Sequence, residues 1–200
     1  MDRNLIIKSL IQAIPYVGGS ISTLYFDSKD KRKFENLESF YRNLAIEVDK
    51  VKSSISKMEN HSQEELIAFI EEINEKVENE RIEQKKKYYQ NIYIKSLIHP
   101  VKDCFIERKY FLDLISTLTT VHFDILSVLL HENRPTLILE FQIPGMDLDL
   151  LKGFTQQLEN AGLVKSQLET IEFTNIGGRM DSRFTLTDLG KRFHYFCIQD

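Results

Sequence analysis

Cysteine and histidine are scarce in these 200 residues, and neither is arranged as a site. The two cysteines are Cys104 and Cys197, and the five histidines are His61, His99, His122, His131 and His194. No Cys-x-x-Cys pair occurs and the histidines are scattered, so no structural metal site is expected. Two distant cysteines read as buried, reduced thiols of a cytoplasmic protein. Catalytic signatures are missing as well. There is no HExxH, no Gly-x-Ser-x-Gly elbow and no Walker loop, and Gly18-Gly19 lacks the spacing of a dinucleotide fingerprint. His122 and Asp124 flank Phe123, and a helix would point them in different directions. The expectation is a non-enzymatic protein with no catalytic residues, no cofactor and no bound metal.

An excess of positive charge is also lacking. Lysine and arginine number 26 against 30 acidic residues, a net charge of −4 that argues against strong attraction to nucleic acid. Residues 123–200 hold seven basic and eleven acidic residues, leaving nineteen of each in residues 1–122. The whole imbalance therefore falls in the C-terminal third. With 42% hydrophobic and 28% charged residues, the chain can bury a core and is not disordered throughout.

Apolar pattern is what the sequence has in quantity. Residues 5–26, LIIKSLIQAIPYVGGSISTLYF, carry Lys8 as their one charge and are long enough to cross a bilayer as a helix. Lys8, Ser9, Gln12 and Ala13 nevertheless alternate with isoleucine and leucine as on an amphipathic helix. Pro15 and Gly18-Gly19 break the middle, so two short packed helices are expected, with membrane contact as the alternative. Lys8 and the lack of a clear cleavage site argue against a secretory signal.

Phe34, Leu37, Tyr41, Leu44, Val48, Val51, Ile55 and Met58 recur at alternating spacings of three and four, a heptad seam. Asn60-His61-Ser62 interrupts it, and Ser62 with Glu65 forms a capping box. Leu66, Ile70, Ile73 and Val77 continue the stripe, which predicts a long antiparallel helical hairpin turning near His61. The seam either packs inside its own helical bundle or faces a protein partner, including a second copy in a homo-oligomer. Residues 71–87, EEINEKVENERIEQKKK, read as one polar helix passing from acidic to basic. Lys85, Lys86 and Lys87 are expected on a solvated helical face.

Further helices are expected from about Lys102 through Leu114 and from Leu118 to Leu130. Beyond them the order reads as a winged helix. Phe123 to Leu130 is its first helix, Thr136 to Phe141 a strand, and Asp147 to Ala161 a helix closed by Gly162. Two strands flank a glycine-rich tip at Asn175–Met180, and Thr187 or Asp188 caps a last helix. The helix in the recognition position carries Asp147, Asp149 and Glu159 against Lys152, so phosphate anchoring is missing although Gln156 and Gln157 could read a base edge. Arg179 and Arg183 are the cations placed for wing contacts. Domain boundaries are expected at 1–105 for a helical domain and 106–200 for a winged-helix-like one.

Three stretches together resemble the bacterial abortive-infection alpha family. They are IPYVGG before the hairpin, SLIHPVKDCFIERKYFLDLISTLTTVHFDILSVLL in the centre, and LENAGLV followed by FTLTDLGKRFHYFC at the end. The motifs are short and mostly structural. The resemblance implies phage defence through growth arrest or cell death and brings no catalytic residues. The reading is a mostly α interaction or effector protein; a DNA-binding regulator dimerised through its long helices is the alternative.

Overall fold

In a computed structural model the chain is described at residues 31–55, 62–99, 104–141, 143–174 and 177–199. It is mostly helical, with a small three-stranded antiparallel sheet. It divides into two compact units, the first ending at Thr117 and the second beginning at Leu118. The sequence expectation set a boundary at 105/106; the helix Phe105–Thr117 that follows it is grouped with the first unit. Among the described residues no single helix is long and apolar enough to cross a membrane. The stretch 5–26 lies outside them.

The first unit holds α1 (Lys31–Lys50), α2 (Gln63–Asn79), α3 (Glu83–Ile98) and α4 (Phe105–Thr117). Its core takes Leu37, Phe40, Tyr41 and Leu44 from α1 and Leu66, Phe69, Ile70 and Ile73 from α2. Tyr89, Ile92, Tyr93 and Leu97 of α3 and Phe111, Leu112 and Ile115 of α4 complete it. Lys33 pairs with Glu78 at 3.6 Å and Tyr41 bonds to Asn74, so α1 and α2 run antiparallel. The heptad spacing outlasts its helix. α1 stops at Lys50, a 3-10 turn covers Lys52–Ser54, and Ile55 is extended. Val51, Ser53, Ser54 and Ile55 are weak helix formers, the serines because they compete for backbone hydrogen bonds. Ser62 caps α2 by accepting from the Glu65 amide at 3.5 Å, one half of the expected capping box.

The polar helix expected over 71–87 is interrupted. Glu80 and Ile82 are extended, and the Glu80 carboxylate accepts the amides of Arg81 at 2.8 Å and Ile82 at 2.9 Å. One glutamate therefore leaves α2 and satisfies amides at the entry to α3.

The second unit contains α5 (Thr120–Glu132), β1 (Thr136–Leu137), a 3-10 turn (Ile138–Glu140), α6 (Leu148–Asn160), β2 (Val164–Thr174), β3 (Gly177–Leu186) and α7 (Asp188–Phe193), which continues as a π turn over His194–Ile198. The strand expected from Thr136 to Phe141 keeps two residues and then coils. The second strand of the hairpin begins at Gly177, inside the stretch Asn175–Met180 expected as its tip. The sheet order is β1–β3–β2, all antiparallel, with a register shift between Leu168 and Thr170. Phe123 and Phe193 stack with centroids 6.1 Å apart in a core shared with Leu126, Leu158, Val164 and Cys197. Asp147 caps α6, its carboxylate accepting the Leu150 amide at 2.8 Å. Gly162 at φ +70° closes the helix: its amide reaches Glu159 and that of Leu163 reaches Leu158, a Schellman motif.

Candidate functional site

The first unit draws the predicted seam inward. Leu37, Tyr41, Leu44 and Val48 are at most 5% exposed. Val51 and Ile55 are half-buried beyond the end of α1. Met58 and the side chain of Phe34 lie outside the described residues. Tyr41 Oη donates to Asn74 Oδ1 at 2.7 Å within the core, and burial holds the neighbouring Tyr93 hydroxyl well above the ordinary tyrosine range.

Two of the three consecutive lysines are buried, not solvated. Lys86 Nζ donates to Asn36 Oδ1 at 2.9 Å, and the Asn36 amide donates to the carbonyls of Glu78 and Glu80, each at 3.0 Å. The end of α2 is thus capped by a residue from α1 that α3 holds in place. Lys85 Nζ reaches the Ser116 carbonyl at 2.9 Å near the end of α4, and burial lowers its pKa against the raising influence of Glu80. Tyr89 bonds to Ser116 Oγ at 3.2 Å, and burial pushes its hydroxyl up to about 12. A groove of about 650 Å³ runs past Tyr89 and Ser116, lined by Glu71, Glu72, Glu75 and Glu80 with Lys76. Sequence reasoning missed this arrangement, since Asn36 and Lys86 are fifty positions apart.

The second unit ties up the groups proposed for base reading. His122 is buried, and its Nδ1 accepts the Thr119 amide at 3.0 Å. That bond makes Nε2 the protonated nitrogen, which donates to Gln157 Oε1 at 2.8 Å. Gln156 bonds to Asn160 at 3.2 Å, and Lys152 lies 3.4 Å from Asp149. Arg183 donates to the Pro135 carbonyl at 3.2 Å and stands 3.8 Å from Glu140. The Arg179 side chain is outside the described part. Cys104 and Cys197 form no disulfide among the described residues, and Cys197 is buried. No known protein family, curated protein or solved structure matches this chain.

Proposed function

We propose that this is a non-enzymatic helical interaction protein, an effector of bacterial phage defence acting through macromolecular contact. Its second unit is read as a winged-helix-like domain. Helix, strand, helix, two-stranded hairpin and helix, with strands in the order β1–β3–β2, support that reading. The first unit is read as a helical bundle built on the α1–α2 pair.

The observation that carries the proposal is the character of α6, the helix in the recognition position. Asp149, Lys152 and Gln156 are exposed along it, Leu150 is 46% exposed, and the one lysine is next to Asp149. Asp147 and Glu159 add two more carboxylates. Such a surface repels phosphate and suits a protein partner with basic and apolar groups. The defence role itself rests on the motif resemblance.

Growth arrest on expression of the full chain in a bacterial host tests both parts. Arrest should disappear in an Asp149→Lys, Leu150→Glu variant whose circular dichroism is unchanged. Undiminished arrest in that variant would reject α6 as the contact surface, and no arrest by the wild-type chain would reject the defence role. The second reading is duplex binding through the β2–β3 hairpin, whose second strand carries Arg179 and Arg183. A salt-sensitive shift of DNA that weakens with Arg179→Ala or Arg183→Ala would establish it in place of the first.

A further inference from the structure

A cavity in the acidic second unit gathers cations from three separate elements. It measures about 230 Å³ and lies among Asn133 and Arg134 after α5, Lys165 and Gln167 on β2, Thr185 on β3, and Lys191 on α7. Among the described residues none of its lining side chains is acidic. Register explains the convergence. Lys165 pairs with Thr185 and Gln167 with Arg183, while the alternate residues Val164 and Phe184 turn into the core; Leu129 and Leu130 of α5 and Leu186 of β3 give the cavity an apolar wall. The bond from Arg183 to the Pro135 carbonyl holds the loop carrying Arg134 against this polar side of the sheet.

The charges are not equally committed. Arg134 is matched by Glu140 at 2.6 Å and Glu132 at 3.0 Å. Lys191 has Asp188 at 3.9 Å, a carboxylate 91% exposed and therefore a weak partner. Lys165 has no ion pair among the described residues. The last carbonyls of α5 bring partial negative charge to one rim, about half a unit, which the Lys165 ammonium and the weakly paired Lys191 ammonium outweigh. Asn133 and Gln167 supply further donors, and the covered Thr185 hydroxyl has no hydrogen-bond partner among the described residues.

We propose that this cavity binds a small tetrahedral oxyanion, inorganic phosphate or the terminal phosphoryl group of a phosphomonoester. Two ammonium groups with amide and hydroxyl donors match an anion that accepts at every oxygen. The volume falls below the roughly 300–1,000 Å³ typical of sites that enclose larger ligands, so the body of an ester would stay outside. The inference is independent of the proposed defence role.

Calorimetric titration of the full chain with inorganic phosphate at fixed ionic strength tests it. Binding should saturate, weaken about tenfold or more in Lys165→Gln and in Lys191→Gln, and survive in Lys165→Arg. Lys152→Gln, on α6 outside the cavity, should leave it unchanged. Competition by glycerol phosphate would assign the site to phosphomonoesters, and its failure to compete would assign it to the free ion. Absence of saturable binding would overturn the proposal, as would equal weakening by Lys152→Gln, which marks diffuse attraction. Thermal melts of each variant verify that the comparison is between folded proteins.

Discussion

Asn36 joins three helices of the first unit, and its loss should be felt out of proportion to its size. Its amide satisfies two carbonyls at the end of α2, and its oxygen receives the buried Lys86 ammonium. Asn36→Ala should cost roughly 1–3 kcal/mol in urea unfolding, because it takes the donor from two carbonyls at the end of α2 and one of two partners from the Lys86 ammonium, which keeps Glu83 at 2.7 Å. A loss below about 0.5 kcal/mol, the size of an ordinary surface change, would contradict this role. His99 makes a different residue-scale prediction. Burial, then the charges of Arg108 and Lys95, lower its folded pKa from the usual 6.5. The neutral ring is thus favoured in the folded state, and its contribution is complete above pH 6.5 and diminishes as pH falls below it. Between pH 7 and pH 5, wild type should lose more stability than His99→Gln; equal losses would dismiss the effect. Neither residue was marked in the sequence as anything but polar.

At the scale of elements, caps were legible and lengths were not. Ser62, Gly162 and Thr187 act where local motifs placed them, because a cap is a matter of three or four consecutive residues. The seam over Phe34–Met58 and the polar run over 71–87 overstated their helices, because spacing records which side chains face together and not whether the backbone continues. Gly162→Ala should cost about 1 kcal/mol, since φ +70° suits glycine. Gly190 is held more tightly. A Cβ there would stand 2.0 Å from the Leu163 carbonyl oxygen. Backbone on both sides cannot yield as a side-chain tip can, so Gly190→Ala should destabilise by about 3 kcal/mol or more. Chemical denaturation of the two variants side by side should reproduce that ranking; a reversed order would mean that α7 shifts freely.

For the whole molecule, the structure decides between the two places the sequence left open for the apolar stripe. Leu44 and Val48 lie in the core of their own unit. Leu44→Asp should therefore unfold that unit, at a cost of about 4 kcal/mol or more for a buried unpaired charge. Far-UV circular dichroism should show the helical loss, and a fully folded variant would restore the seam to the surface. What could be read without coordinates was the class: mostly helical, a short β-rich stretch near the end, and an acidic C-terminal third. Periodicity, caps and composition are properties of neighbouring residues, so they survive in a one-dimensional string. Tertiary structure alone decided that Lys85 and Lys86 are internal, that His122 holds Gln157, and that Arg134, Lys165 and Lys191 surround one cavity. Those partners are far apart in the chain. Whether a polar side chain meets water, a carbonyl or another charge depends on folding that brings distant segments within a few ångströms.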